Sequence, residues 1–216
     1  MPREVSENAT TLASYEAAAD LYVAHQPPTA PAALLTFLSA IAELLPNGGR
    51  VLEIGSATGQ DAALLEARGL RVRRTDAAGG FVKWLRSQGV EAEILNVVTD
   101  ELGGPWDGIF ANAVFLHLNV DELAGVLAKT ARSVTPGGIL GFTVKEGDGA
   151  GWSTAKLNLP RRFTYWRPAS LRAMVDSSPW GLIALDRVAG AKDDWLYCLC
   201  RMQTALTPAG AQKPKP

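Results

Sequence analysis

An acidic residue and a series of small residues stand in the segment VLEIGSATG, which ends at Gly59. The apolar residues around Glu53 predict a short strand, and the residues after Gly59 predict a helix. Gly55, Ser56 and Ala57 leave room for a ligand to approach the backbone closely. The first N–H groups of the following helix have no partners within that helix, so they can donate to the ligand. The segment therefore predicts a binding loop between a strand and a helix.

Two neighbouring arginines, Arg161 and Arg162, lie beside aromatic residues in the segment RRFTYW. A guanidinium group can bind a carboxylate or a phosphate through two parallel hydrogen bonds, so the pair can clamp such a group on a substrate. Arg162 can equally form an ion pair with Glu146 or Asp148 and only hold its own loop. The sequence leaves both interpretations open.

The elements that must position these residues follow an alternating pattern. Two helices are predicted first, over residues 8–24 and from Pro31 to the Pro and Gly residues at 46–49. Short apolar runs then alternate with helical stretches, which predicts an α/β fold with a parallel sheet covered on both faces. The last two runs, LIALDRV and WLYCLCRM, predict an antiparallel hairpin at one side of the sheet. Residues 145–166 fit neither period and are too long for a simple connection, so they are a candidate active-site loop.

The composition is that of a globular protein, with 47% hydrophobic and 20% charged residues. A chain of 216 residues can form one domain. The sequence contains 21 Lys and Arg and 22 Asp and Glu, so it has no excess of positive charge. Non-specific binding to nucleic acid is therefore disfavoured. We see no secretory signal and no apolar run near the roughly 20 residues of a membrane span. Cys198 and Cys200 suggest core packing in a reducing compartment, so we expect a cytoplasmic protein without a membrane partner.

The binding loop resembles the first motif of class I S-adenosylmethionine-dependent methyltransferases of the small-molecule type, an acid followed by three alternating glycines. Ala57 departs from that motif at the middle glycine, where we expect crowding but not exclusion of the cofactor. The segments DGIFAN, which ends at Asn112, and VTPGG, which ends at Gly138, resemble the fourth strand and the turn before the fifth. The resemblance extends from about Ser14 to Arg201.

The resemblance implies a Rossmann-like, doubly wound, mostly parallel seven-stranded sheet with an antiparallel C-terminal strand and N-terminal helices that form a lid. It divides the chain into an N-terminal helical cap (1–46), an S-adenosylmethionine-binding core (47–204) with an acceptor loop (145–167), and a flexible tail (205–216). The expected oligomeric state is a monomer or a homodimer.

The resemblance also implies which residues bind S-adenosylmethionine. Asp76 ends the second predicted strand, about 20 residues beyond the loop, where its carboxylate can accept both ribose hydroxyl protons. Asp76 can also be the N-cap of the next helix. Asn96 stands where the family often has Asp, and its amide oxygen can accept from the adenine amine. The full set of expected cofactor-binding residues is Tyr22, Glu53, Gly55, Ser56, Ala57, Gly59, Asp76, Ala77, Asn96, Val97, Asn112 and Ala113.

His117 follows the fourth strand and is the candidate general base, since by the resemblance it lies near the transferred methyl group. Packing or hydrogen-bonded scaffolding is the alternative role of this histidine. By the resemblance, residues of the acceptor loop and of the first helix contact the substrate: Tyr15, Glu146, Trp152, Arg162 and Tyr165. We see no cluster of metal ligands in the sequence.

We therefore expect methyl transfer to an O, N or C atom of a small organic acceptor, as in secondary metabolism. A protein that binds the cofactor but catalyses another reaction, or only binds, is the main alternative, because Ala57 and Asn96 depart from the family pattern. A nucleic-acid methyltransferase is disfavoured by the neutral charge balance. A nicotinamide-dependent oxidoreductase is disfavoured by the glycine spacing, which does not match the dinucleotide-binding pattern.

Overall fold

The computed structural model describes residues 6–203 of the chain. The helices in these residues are α1 (Glu7–Ala17), α2 (Ala19–Ala24), α3 (Ala32–Leu44), α4 (Gln60–Glu66), α5 (Gly79–Ser87), α6 (Val120–Arg132) and α7 (Pro168–Asp176), with a 3-10 helix at Phe115–His117. The strands are β1 (Arg50–Ile54), β2 (Arg71–Asp76), β3 (Glu93–Ile94), β4 (Trp106–Ala111), β5 (Val134–Lys145), β6 (Ala150–Ser153), β7 (Arg161–Thr164), β8 (Trp180–Val188) and β9 (Trp195–Met202). The predicted tail, 205–216, lies outside the described residues.

Seven of these strands form one sheet in the order β3-β2-β1-β4-β5-β9-β8. The pairs from β3 to β5 are parallel, whereas β9 is antiparallel to both β5 and β8. The predicted mostly parallel seven-stranded sheet with an antiparallel C-terminal strand is confirmed. The chain runs outward from β1 in one direction through β2 and β3, and in the other direction through β4 and β5. The crevice at the carboxyl ends of β1 and β4 is where open α/β sheets bind ligands.

Alternate residues of the central strands pack into two separate hydrophobic clusters. In β4, Ile109 belongs to the cluster under α6 and α7, and the adjacent Phe110 belongs to the cluster under α3 and α4. Successive side chains of a strand point to opposite faces, so these two clusters lie on opposite faces of the sheet. The predicted coverage of both faces by helices is therefore confirmed.

The N-terminal helices divide between two environments. α3 buries Leu34, Phe37, Leu38 and Ile41 in the cluster that contains Phe110, so it is part of the layer that covers the sheet, although the predicted cap of residues 1–46 included it. The single helix predicted over residues 8–24 is interrupted at Ala18, which ends α1 and begins α2. α1 packs on β7 and α5, and α2 packs on α5.

The segment predicted as an irregular acceptor loop contains a β-hairpin. β6 and β7 pair antiparallel, with Ala150 opposite Thr164 and Ser153 opposite Arg161. Each strand has only four residues, which is too short for a strand period to stand out in the sequence. The expectation of a segment without regular structure was therefore wrong. The hairpin supports α1 from the outside.

No helix within residues 6–203 is long and apolar enough to cross a membrane.

Candidate functional site

A cavity of about 130 Å³ lies at the carboxyl ends of the first four strands. The last residues of β1 and β2, Ile54 and Asp76, lie on its wall, as do residues that follow β3 and β4. α1 and α2 close the cavity with Asn8, Thr11, Leu12, Tyr15 and Tyr22. The cavity is therefore built between the binding loop and the N-terminal helices.

The turn after β1 has the tight geometry that its small residues predict. Gly55 has a φ of 76°, and a Cβ atom there would lie 2.3 Å from Cγ2 of Val114. The N–H groups of Gly55 and Ser56 both donate to the carbonyl oxygen of Thr75, at 2.8 and 2.9 Å. Ala57, at the expected middle glycine, also has a positive φ of 43°, which costs an alanine roughly 1–2 kcal/mol. The chain retains the left-handed turn despite this substitution.

Asp76 joins the end of β2 to the binding loop. Its Oδ2 accepts from the N–H of Ala57 at 2.9 Å, and its Oδ1 accepts from the N–H of Ala78 at 2.9 Å. Ala78, which precedes α5, occupies the N-cap position, so the interpretation of Asp76 as the N-cap was wrong. Burial raises the pKa of Asp76 to about 6. Each carboxylate oxygen keeps a lone pair for a ligand in the cavity.

Glu53 and Ser56 lie behind the loop and outside the cavity wall. Both residues are buried, and neither Oε2 of Glu53 nor Oγ of Ser56 has a hydrogen-bond partner within residues 6–203. Burial raises the pKa of Glu53 to about 8, so near neutral pH its carboxyl group is largely protonated. Burial also raises the pKa of Asp61, whose carboxylate accepts from the amide of Asn112. These groups suit a ligand that brings positive charge and hydrogen-bond donors.

The remaining expected cofactor residues divide between the wall and the second layer. Ala77, Val97, Asn112 and Ala113 lie on the cavity wall, whereas Gly59 lies at the start of α4 and off the wall. Asn112 and Ala113 both form hydrogen bonds with the hydroxyl of Thr143. This hydroxyl donates to Oδ1 of Asn112 and accepts from the N–H of Ala113.

Asn96 joins the strand end to the lid. Its Oδ1 accepts from the N–H of Val98 at 3.0 Å, and its Nδ2 donates to Oδ1 of Asn8 on α1 at 3.2 Å. An amide oxygen can accept twice, so Oδ1 of Asn96 keeps one lone pair toward the cavity that this residue lines.

His117 lines the cavity but is held at both ring nitrogens. Nδ1 lies 2.6 Å from the carbonyl oxygen of Arg162, which can only accept, so Nδ1 carries the proton. Nε2 then accepts from the hydroxyl of Tyr15 at 2.9 Å, and that hydroxyl in turn accepts from Nη1 of Arg161 at 3.2 Å. Burial lowers the pKa of His117 to about 4, which keeps the imidazole neutral.

The expected substrate residues do not gather at this cavity, with the exception of Tyr15. Trp152 is 48% exposed, and neither Trp152 nor Tyr165 is on the wall. Glu146 is also off the wall and pairs with Arg167 and Arg187. Substrate contact by these three residues stays a prediction.

Arg162 has a different partner from either of those expected. Its Nε donates to Oε1 of Glu7 on α1 at 2.8 Å, and its backbone N–H donates to the hydroxyl of Thr11 at 2.9 Å. The alternative interpretation, an ion pair of Arg162 with Glu146 or Asp148, was wrong, because the side chain of Arg162 pairs with Glu7 on α1. Asp148 pairs with Arg167 instead.

Several wall residues had no sequence signal of their own. Asn8 and Thr11 are polar residues of an ordinary helix, and Phe81, Val114 and Leu118 are apolar residues that packing alone would explain. Tyr15 and Tyr22, which the resemblance assigned to the substrate and the cofactor, do lie on the wall. No group of three or more His, Cys, Asp and Glu side chains within residues 6–203 is arranged to hold a metal ion.

Solved structures share this fold at low sequence identity. Burkholderia thailandensis 1,6-didemethyltoxoflavin-N1-methyltransferase, with bound 1,6-didemethyltoxoflavin and S-adenosylhomocysteine, is 17% identical, with a TM-score of 0.73 over 94% of this chain and 93% of that one. DhpI in complex with SAH is 23% identical, with a TM-score of 0.74 over 91% of this chain and 97% of that one. The CcbJ methyltransferase from Streptomyces caelestis is 18% identical, with a TM-score of 0.71 over 92% and 100%. At these identities the likeness concerns the fold.

No curated protein matches the chain. The model of one protein family, described as a methyltransferase domain, matches residues 23–180. This match begins at the end of α2 and spans the binding loop, the strands from β1 to β5 and the hairpin. The resemblance to methyltransferases is thereby confirmed, and the chain belongs to the methyltransferase-domain family.

Proposed function

We propose that this protein transfers the methyl group of S-adenosylmethionine to an O, N or C atom of a small organic acceptor, in secondary metabolism. One observation carries the proposal: the loop after β1 and the carboxylate that ends β2 meet at one cavity. They are joined by the hydrogen bond from Ala57 to Asp76 and both line the wall. Cytoplasmic location and the choice between monomer and homodimer stay predictions.

The polar groups around the loop match the parts of the proposed cofactor. Asp76 binds the ribose through the lone pairs that Ala57 and Ala78 leave free. Asn96 accepts from the adenine amine. Glu53 and Ser56, which lie behind the loop, interact with the charged amino acid end through the loop backbone. When bound, S-adenosylmethionine supplies a methyl group already activated by its sulfonium.

The lid favours a small acceptor over a macromolecule. α1 closes the cavity from above, and its Asn8 bonds with Asn96 across the opening. A largely apolar cavity partly covered by helices suits a small molecule, whereas a polymer needs an open surface. The Burkholderia thailandensis enzyme, which holds a small organic molecule beside S-adenosylhomocysteine, has the same fold.

His117 positions the acceptor side of the cavity in this proposal. The neutral ring receives the hydroxyl proton of Tyr15 in a hydrogen bond and keeps the phenol oriented toward the cavity. Because Nε2 is covered by Tyr15, His117 takes a proton from an acceptor only if Tyr15 takes that proton and passes on its own. The chain's main contribution is to align the acceptor with the methyl group.

The cofactor assignment is tested by isothermal titration with S-adenosylmethionine and S-adenosylhomocysteine. Asp76→Ala should weaken the affinity at least about tenfold, because it removes the acceptor of both ribose hydroxyls. Gly55→Val should abolish binding, since its side chain would displace Val114. Asp121→Asn, an exposed change on α6, is the matched control and should bind normally.

Methyl transfer itself is tested with S-adenosylmethionine labelled on the methyl group and a low-molecular-weight fraction of cell extract. The wild-type protein should move label into a small molecule, and Asp76→Ala should not. Undiminished affinity in both Asp76→Ala and Gly55→Val would overturn the cofactor assignment. Binding without any label transfer would leave a cofactor-binding protein and overturn the transferase assignment.

A further inference from the structure

The charges around the cavity are divided between its two sides. The carboxyl groups of Glu53, Asp61 and Asp76 lie on the side of the binding loop. The hairpin side carries basic residues. Most of these are neutralised, as Arg162 is by Glu7 and Lys145 is by Asp193, at 2.8 and 2.7 Å.

Arg161 is the exception among the buried basic residues. It is 5% exposed and forms no salt bridge with any carboxylate within residues 6–203. Nη1 donates to the hydroxyl of Tyr15 and Nη2 donates to the carbonyl oxygen of Ala155. Its Nε is buried and has no partner in the same part of the chain. One nitrogen of a buried guanidinium group, Nε, is thus left without any hydrogen-bond partner in these residues.

Arg161 lies directly behind the acceptor side of the cavity wall. Its guanidinium carbon is 5.5 Å from the ring centroid of Tyr15 and 5.2 Å from that of Phe163. Tyr15 lines the cavity, and Phe163 packs on His117, with ring centroids 4.8 Å apart. The positive charge is therefore one side chain away from the space that His117 and Tyr15 face.

A second cation stands on the same side. Nζ of Lys156 lies 3.7 Å above the ring of Tyr22, another wall residue. Burial and the nearby charge of Arg161 lower the pKa of Lys156. Residues 6–203 provide Lys156 with no carboxylate partner. Arg161 is buried without an anion, which is unfavourable because a buried charge needs a partner to offset its lost hydration. Lys156 is exposed and adds a nearby positive charge.

We propose that the acceptor carries an oxyanion, a carboxylate or a phosphate, which binds on the Tyr15 side of the cavity to Arg161 with added attraction from Lys156. This inference rests on the proposed function for the identity of the cavity as an acceptor site. The anion offsets the charge that the protein leaves uncompensated. The Nε–H of Arg161, which is buried behind the wall, donates to the anion when α1 and its Tyr15 move outward. The methyl-donor side, which has carboxyl groups on or behind its wall, and the acceptor side, which has cations behind its wall, then hold ligands of opposite charge.

The structure separates two arginines that are equivalent in the sequence. Both belong to the pair that suggested an anion clamp. Arg162 already forms an ion pair with Glu7, and its backbone N–H donates to Thr11 on α1. Of the two, Arg161 alone has no carboxylate partner within residues 6–203, and its buried Nε has no hydrogen-bond partner there. Arg162→Gln is therefore a matched control for Arg161→Gln, with the same chemical change one residue away.

The test is calorimetric titration of the protein with inorganic phosphate and with benzoate at constant ionic strength, with and without saturating S-adenosylhomocysteine. Benzamide serves as the neutral analogue of benzoate. The wild-type protein and Arg162→Gln should bind benzoate or phosphate with affinities within about threefold of each other. Arg161→Gln should bind at least about tenfold more weakly, the loss expected for one charged hydrogen bond.

Two further comparisons test the role of charge. Lys156→Gln should lose less affinity for the anion than Arg161→Gln. Benzamide should bind the wild-type protein at least about tenfold more weakly than benzoate.

The outcomes distinguish this inference from the proposed function. Binding of S-adenosylhomocysteine without any anion binding that depends on Arg161 would overturn the inference and leave the function. Anion binding that depends on Arg161, without any binding of S-adenosylhomocysteine, would overturn the proposed function and leave the anion site. Arg161→Lys keeps the charge and loses the planar fork, so it should weaken binding even if Arg161→Gln does not fold. Unchanged affinity in a folded Arg161→Lys protein, or an equal loss in Arg162→Gln, would also overturn the inference.

Discussion

At the scale of single residues, the site is dominated by carboxyl groups that burial makes weak acids. The pKa of Glu53 is raised to about 8 and that of Asp76 to about 6. A cationic ligand beside them favours their ionised forms, so we expect cofactor binding near neutral pH to release protons. We expect this release to be larger for Glu53, whose pKa is raised further than that of Asp76.

Glu53→Gln should stabilise the protein at alkaline pH. Glu53 has a folded pKa of about 8 against 4.5 in the unfolded chain, so the folded state binds more protons between these values. The stability that this group contributes is complete below about 4.5 and is lost as the pH rises through 8. We expect the variant to gain about 1 kcal/mol or more at pH 8.5 and less at pH 6, measured by urea unfolding.

Glu93→Gln is the control for this measurement. Arg73 lowers the pKa of Glu93 through a hydrogen bond and an exposed ion pair, so its contribution is already complete at pH 6 and does not change up to pH 8.5. An equal gain in both variants at both pH values would contradict the assignment of Glu53 as a buried neutral acid.

His117 should remain neutral well below the usual titration range of histidine. Its folded pKa is about 4 against 6.5 unfolded, so the unfolded state binds more protons between these values. The stability that depends on the neutral ring is present above 6.5 and is lost as the pH falls toward 4. In NMR spectra, the ring signals of His117 should not move between pH 8 and pH 5.5. A midpoint near 6.5 would show that the ring is solvated and free to act alone as a base.

At the scale of elements, α1 is a lid that side chains fasten to the hairpin and to the strand ends. Glu7 pairs with Arg162, Asn8 bonds with Asn96, and Ser14 donates to the carbonyl oxygen of Pro160 at 2.6 Å. The cavity of about 130 Å³ is smaller than the roughly 300–1,000 Å³ of typical ligand pockets. We therefore expect α1 to move outward to admit the cofactor and to pack against it once it is bound.

Ser14→Ala should loosen the lid without disturbing the core. It removes the hydroxyl that bonds across to Pro160, a loss of about 1 kcal/mol that should speed hydrogen exchange of the α1 amides roughly fivefold. Thr10→Ala is the control, because the hydroxyl of Thr10 bonds to Ser6 within the same helical segment. S-adenosylhomocysteine should slow exchange in α1 of the wild-type protein. Equal exchange in the two variants would show that the bond between Ser14 and Pro160 does not hold α1 closed.

At the scale of the whole molecule, the sheet layers and the lid have separate tasks. Phe37 of α3 is 6% exposed and packs on Tyr197 with ring centroids 5.1 Å apart, whereas Leu12 of α1 is half-buried on the cavity wall. Phe37→Ala should lower the free energy of unfolding by about 3–5 kcal/mol and leave the affinity for S-adenosylhomocysteine unchanged in the folded fraction. Leu12→Ala should do the opposite, with little loss of stability and weaker binding. Urea unfolding and isothermal titration measure the two effects, and parallel losses in both variants would contradict the separation.

The sequence by itself determined the features that depend on local pattern. The strand and turn around Gly55, the acid that ends β2 at Asp76 and the alternation of strands with helices are written in neighbouring residues, because backbone geometry and side-chain period act over short distances. Nine of the twelve expected cofactor residues lie on the cavity wall.

Only the tertiary structure decided which charges are paired. Arg161 and Arg162 are adjacent in the chain, but the pairing of β6 with β7 and the packing of α1 give one of them Glu7 and leave the other without a carboxylate. Such partners lie about 150 residues apart in the chain, and a residue's own neighbours carry no information about contacts made at that distance.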